Sequence, residues 1–352
     1  MNHEDLSTIV SRQTREADLV EKMNDGRLQC LACGHKCPIP EGKSGVCQVR
    51  FHRKGKLFAP WGYVAGLQDD PIEKKPFFHA LPGSRALSFG MLGCDFHCSY
   101  CQNWMTSQTL RDAEAIIRPT TVSLEQILEA GLRSGCQSVI STYNEPLITS
   151  EWAVAIFKKA KSKNLVTGYV SNGNGTPEVL SYIKPWTDLY KVDLKTFNDK
   201  HYRELGGSLQ IVLDTICQLN EMNFWIEIVT LIVPGFNDSE TELKSIARFI
   251  ASVSRDIPWH VTAFHQDYKM REPRNTTCED LTRAVAIGRE AGLRYIYSGN
   301  LPGGVGEGEN TYCHECGTLL IQRLGFQILE NHLTSSQGRC HQCGCLIPGR
   351  WI

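Results

Sequence analysis

Cys94, Cys98 and Cys101 stand in the run GMLGCDFHCSYCQNW, a CxxxCxxC pattern that follows the apolar segment ALSFGML at residues 86–92. Three thiolates at that spacing can ligate three irons of a four-iron, four-sulfur cubane and leave the fourth iron without a protein ligand. An iron so exposed can chelate the amino and carboxylate groups of S-adenosylmethionine. An electron given into the sulfonium then splits the carbon–sulfur bond and frees a 5′-deoxyadenosyl radical. A zinc knuckle is the bland competitor, but structural zinc closes with four ligands and no fourth cysteine lies at knuckle spacing.

Two further cysteine groups flank this one. RLQCLACGHKCPIPEGKSGVCQVR carries Cys30, Cys33, Cys37 and Cys47 as C-x2-C-x3-C-x9-C among Gly34, Gly42 and Gly45. Four thiolates suffice for a tetrahedral metal site in a segment too small for a core of its own. Zinc is the first choice there and an auxiliary iron–sulfur cluster the second; His35 could replace one sulfur. In the tail, Cys313-x2-Cys316 and Cys340-x2-Cys343 repeat a CHxCG knuckle and read as a zinc ribbon capping the larger domain, with Cys345 to spare. Cys136, Cys217 and Cys278 stand alone and read as small buried hydrophobes.

Strands and helices must position these groups. Runs rich in Val, Ile and Tyr occur at 86–92, 138–143, 165–171, 188–194, 225–233, 259–264 and 293–299. Helical stretches at 122–135, 151–163, 211–222, 239–253 and 278–292 lie between them, the first opened by Ser123 and Gln126 at capping-box spacing. That alternation indicates right-handed βαβ units around a parallel sheet, about seven strands in a full or partial TIM-like (β/α) barrel. Functional residues then belong at the C-terminal ends of the strands. Residues 1–85 form a Cys-rich module and connector, with 69–84 reading as irregular; 86–305 form the barrel and 306–352 the ribbon-like module.

With 352 residues, 41% of them hydrophobic, and a net charge of −1, the chain has size for one large domain with small satellites. No broad field draws nucleic acid or an anionic membrane. The N-terminus lacks the apolar core of a signal peptide, and no apolar run reaches the length of a membrane span. A cytoplasmic location follows, where clustered cysteines more often hold metal than disulfides.

At the strand ends the sequence resembles the radical S-adenosylmethionine (SAM) superfamily, in its pyruvate formate-lyase activating enzyme branch. STYNEP (141–146) resembles the branch's element for the methionine amino group, which implies Asn144 and Glu145 as contacts. VSNGN (170–174) resembles a second cofactor element, implying Ser171 and Asn172, and KVDLK (191–195) resembles one that brings Asp193 and Lys195 to the cofactor carboxylate. Tyr100 offers an aromatic face for the adenine, TLIVPGFND (230–238) resembles the element beside the ribose, and AFHQDYKM (263–270) implies His265 and Lys269 near the substrate mouth.

The four-cysteine block, the connector, YSGNLPG (297–303) and the tail look like the radical enzyme of the AmmeMemoRadiSam system. That likeness implies a low-potential electron donor, an AMMECR-type and a Memo-type partner, and an activating-enzyme-like oxidoreductase acting on an unidentified substrate. A glycyl-radical activase is the alternative within the class. A non-catalytic iron–sulfur carrier or metal-dependent binding module is the alternative outside it.

Overall fold

The computed structural model describes residues 6–351; the first five residues and the last lie outside the described residues. Its centre is an 8-stranded sheet. In chain order the strands are β1 (Gly66–Pro71), β2 (Arg85–Gly90), β3 (Ser138–Ser141), β4 (Val166–Ser171), β5 (Leu189–Asp193), β6 (Trp225–Ile232), β7 (Trp259–Ala263) and β8 (Ile296–Gly299). Spatial order follows chain order, β2 to β8 are parallel, and β1 pairs antiparallel with β2.

No pairing joins β1 to β8 among the described residues, so the barrel is partial. All seven runs expected as strands are the seven parallel ones. The segment expected to be irregular from residue 69 instead begins inside β1. Its Gln68, Asp69, Asp70 and Pro71 carry no apolar alternation, because this strand is an edge that meets water and needs none.

The crossover helices form where the periodicity places them. Leu124–Arg133 starts with a complete capping box, Ser123 taking the Gln126 N–H and Gln126 returning to the Ser123 N–H. Removing such a cap costs about 1 kcal/mol. Ser150–Lys161, Leu209–Glu221, Glu240–Val253 and Cys278–Glu290 match the other expectations. Pro177–Ile183 and Asp199–Glu204 are additional, each too short to show a periodic stripe. Trp152, Phe157 and Tyr169 are buried between helix and sheet, with the Phe157 and Tyr169 rings edge to face at 5.4 Å.

Two smaller parts dock on this frame. The N-terminal part holds two 3-stranded antiparallel sheets and is fastened by Arg50, whose buried guanidinium makes two 2.7 Å bonds to the Glu151 carboxylate at the start of helix Ser150–Lys161.

The tail forms β9 (Thr311–Tyr312), β10 (Leu319–Leu324) and β11 (Gln327–Asn331). Its Leu320, Ile321, Leu333 and Trp351 pack on Phe78 of the connector and on Tyr295 and Tyr297 at β8. The turn after β10 reaches the other edge, where Phe326–Leu329 share a cleft with Pro71 and Gly83–Arg85. The tail thus lies across the gap between the sheet's two edges. More than capping the barrel, it walls it.

Candidate functional site

Strand ends converge on a cavity of about 420 Å³. Gly90 ends β2 against the β3 loop so closely that a Cβ there would sit 2.5 Å from the Thr142 carbonyl oxygen. Tyr143 occupies left-handed backbone space at φ 71°, a costly conformation for a residue with a bulky side chain. Its carbonyl takes the Thr106 hydroxyl and its phenol bonds Ser88 at 2.8 Å and Lys75 at 2.9 Å. These bonds hold the turn that carries Asn144 and Glu145.

Cys94, Cys98 and Cys101 face this cavity together with Tyr100, Asn144, Glu145, Ser171, Asn172, Asp193 and Lys195. His265 does not. It is exposed, with its ring 3.1 Å from the Gln102 amide, and only Gln102 reaches the lining. Lys269 turns to Asp112 at 2.8 Å on the outer surface.

Each polar group is held by neighbours. Glu145 accepts from Ser171 Oγ at 2.8 Å, Asn172 N at 2.7 Å and Leu147 N at 3.0 Å. Burial, then the charge of Asp95, nevertheless raises its carboxyl to about 8. Such a carboxylate regains its charge most favourably beside a cation. Asn144 takes the Met91 N–H at 3.0 Å and so anchors the turn.

Asp193 sits between Lys191, in direct contact, and Lys195 at 3.3 Å. Burial opposes its charge, but the two ammonium groups prevail and hold it below the usual carboxylate range. Burial pushes the Cys98 thiol up to about 12 against the pull of Lys195, and it lifts Cys94 further with the help of Asp95 and Glu145. These sulfurs become thiolates when metal replaces the proton.

Sequence reasoning missed several lining groups. Lys191 precedes Asp193 by two residues and shares its face of β5, a period-2 signal that was available. Lys74, Lys75 and Phe326 also line the cavity, and no local pattern announces them. Asp95 is buried behind Cys94 and receives 2.8 Å bonds from both Asn172 Nδ2 and Asn174 Nδ2.

The donor set fits a cubane at Cys94, Cys98 and Cys101. Three sulfurs face one cavity whose lining holds no fourth cysteine, and they form no group of three ligand atoms within 4.8 Å, the crowding a single ion requires.

The tail cysteines differ. Cys313, Cys316, Cys340 and Cys343 lie within 4.8 Å of one another and can hold one metal ion. Gly317 and Gly344 give both knuckles the same backbone bond, to Cys313 O and Cys340 O at 2.9 Å. The contacts with the Thr318 hydroxyl and N–H pull Cys316 down to about 6. His314, Glu315 and Cys345 form a second close group, with Tyr295 OH 2.7 Å from His314 Nδ1.

Known proteins match this picture. The model of the Radical SAM superfamily matches residues 90–250. An uncharacterized protein of Methanocaldococcus jannaschii is 36% identical over 332 residues, 94% of this chain and 98% of that protein. The pyruvate formate-lyase-activating enzyme of Staphylococcus aureus strain USA300 is 25% identical over 202 residues, 53% of this chain and 76% of that enzyme. A radical SAM methyltransferase from Sphaerobacter thermophilus shares the fold, with a TM-score of 0.51 at 13% identity over 89% of this chain and 84% of that one.

A partial barrel with three cysteines at the end of its first parallel strand defines a class of radical-generating enzymes. This chain belongs to the radical SAM superfamily. It is an enzyme of that class, whose chemistry calls for a [4Fe–4S] cluster and SAM. Among the described residues no helix is long and apolar enough to cross a membrane.

Proposed function

We propose that this enzyme binds SAM in the cavity at the ends of β2 to β6 and directs the resulting radical at a substrate entering between the connector and the tail. The observation that carries this reading is convergence: three cysteines after β2, the buried Glu145 carboxylate after β3 and the lysine–aspartate group at the end of β5 bring three strand ends to one lining. Cys94, Cys98 and Cys101 would hold a [4Fe–4S] cluster, which when bound and reduced would supply the electron for sulfonium cleavage.

The chain's own residues do the rest. Glu145 takes the methionine ammonium, with Ser171 and Asn172 fixing its orientation. Lys195, aligned by Asp193, takes the methionine carboxylate. Tyr100, 5.8 Å from Phe236 and edge to face with it, offers an aromatic wall for the adenine. Lys75 of the connector and Phe326 of the tail complete the lining on the side where the substrate would enter.

The test is anaerobic. Reconstitute the chain with iron and sulfide, reduce it, add SAM and quantify 5′-deoxyadenosine beside bound SAM. Wild type should give both, and Cys98→Ala should give no 5′-deoxyadenosine while retaining the tail metal. A fully loaded cluster that neither binds nor cleaves SAM would overturn the assignment.

In our reading the chain divides into modules at 1–85, 86–305 and 306–352, and zinc fills the tail site, because four thiolates within 4.8 Å suit a tetrahedral ion. We place the enzyme in a reducing cytoplasm beside a low-potential electron donor. We also assign it to a three-protein system with AMMECR-type and Memo-type partners, a reading supported by the likeness of the four-cysteine block, connector and tail. Co-elution of the three proteins on size exclusion should follow, and separate elution would count against it. Likeness to the Staphylococcus aureus activating enzyme favours a second reading, hydrogen abstraction from a partner's glycine. A glycyl-radical signal appearing in an added partner enzyme would select it.

A further inference from the structure

The reading above leaves Cys30, Cys33, Cys37 and Cys47 unused. Cys30, Cys33 and Cys47 are buried and Cys37 is half-buried. The backbone draws them together: Cys30 N donates to Cys37 O at 2.9 Å, and Lys36, at φ 41°, turns the loop so that its N–H reaches Cys33 O at 3.0 Å. The Cys47 arm arrives through Gly45, where a Cβ would stand 3.4 Å from the Cys37 sulfur. Cys33, Cys37 and Cys47 each lie within electrostatic reach of Cys30.

Spacing separates this quartet from the one in the tail. Sulfurs around a tetrahedral zinc with 2.3 Å bonds stand about 3.8 Å apart, and the tail quartet is gathered to within 4.8 Å. Among the described residues, the N-terminal quartet offers no group of three at that spacing. Neither do Cys94, Cys98 and Cys101, the set assigned above to the SAM-cleaving cluster. Thiolates on a cubane bind separate irons and stand ~6 Å apart. The N-terminal quartet is therefore buried like a ligand set and, like the triad, is not gathered to single-ion spacing.

Location adds a second argument. Gly34 N donates to Asn174 O at 2.8 Å, and a Cβ on Gly34 would meet Asn174 Oδ1 at 2.4 Å. His35 Nε2 bonds the Asp95 carbonyl at 3.2 Å. Cys47 O and Val49 press on Gly93, which a Cβ would bring within 2.9 Å of each. The quartet's loop is thus packed directly against the residues on either side of Cys94. We propose that Cys30, Cys33, Cys37 and Cys47 hold a second [4Fe–4S] cluster seated behind the Cys94 loop. Such a group exchanges single electrons, which zinc cannot.

The experiment uses the full chain with Cys94, Cys98 and Cys101 all replaced by Ala, reconstituted anaerobically with iron and sulfide. It reads iron, sulfide and zinc per chain, visible absorption, and the low-temperature EPR spectrum after reduction. About four irons and four sulfides should remain, with a reducible signal. Zinc in place of that iron would overturn the proposal.

Wild type gives an independent reading if the triple variant misfolds. About eight irons per chain is expected, and Cys33→Ser should halve that figure. About four irons with two zincs in wild type would overturn the assignment as well. Because the triple variant cannot cleave SAM, its iron content reports on this site whatever the fate of the SAM-binding reading.

Discussion

Glu145 shows how much a single side chain carries here. It receives three hydrogen bonds and still has its carboxyl raised to about 8 by burial and by Asp95, so the ammonium proposed to bind there would restore its charge. Glu145→Gln keeps the size, removes the charge and turns an amide N–H toward donors. The KM for SAM should rise about 10- to 100-fold, or about 1.4–2.8 kcal/mol, with iron content unchanged, as measured by 5′-deoxyadenosine formation across SAM concentrations. An unchanged KM would move the ammonium site elsewhere. Glu145 was legible because STYNEP ends a strand-like run. Its partner Asp95 was not, since the bond from Asn172 to Asp95 spans 77 residues and leaves no mark in local spacing.

At the scale of elements, the seven parallel strands were legible because a strand covered on both faces must be apolar throughout, and β-branched runs record that directly. The edge strand β1 escaped because its polar residues look like loop. Phe326 escaped for a related reason: a half-exposed aromatic in a turn gives no hint of the cavity it faces.

Where β2 meets the β3 loop, the fit is tight enough to test. Gly90→Ala places a methyl 2.5 Å from the Thr142 carbonyl oxygen and 2.8 Å from the Tyr143 Cβ. We expect a loss of about 1–3 kcal/mol in urea unfolding, together with weakened SAM binding as the STYNEP turn shifts.

The N-terminal part should respond to one ion pair. Glu151→Gln leaves the Arg50 guanidinium buried without its countercharge, a loss of about 3–5 kcal/mol that a lowered denaturation midpoint would report. Equal stability of mutant and wild type would show that this part is fastened elsewhere.

Across the whole molecule, the connector and tail meet at a buried polar cluster. Glu227 accepts from Phe78 N and His79 N at 2.9 Å each and from Trp225 at 3.0 Å, with His260 at 2.7 Å. His79 bonds Pro348 O at 2.7 Å and Tyr297 OH at 2.6 Å. Burial lowers its pKa from 6.5 to about 4, so it stays neutral in the folded chain.

The unfolded chain takes up that proton first. Stability from this residue is therefore complete above pH 6.5 and declines as the pH falls toward 4. By pH 5 the loss should reach about 2 kcal/mol. Chemical denaturation at neutral pH and at pH 5 should show that slope in wild type and a shallower one in His79→Gln. Equal slopes would assign the acid sensitivity to another group.

The contact between His79 and Pro348 also sets a schedule for biosynthesis. Its partners are 269 residues apart, and the tail that spans the sheet's gap leaves the ribosome only after β8 has emerged. At roughly 5–20 residues per second the nascent sheet waits several seconds with both edges uncovered. Gln68, Asp69, Asp70 and Pro71 on β1 make one edge a poor template for stray pairing during that interval. The opposite edge, with Ile296 and Tyr297, has no such protection and is where a newborn chain that loses its tail would aggregate first.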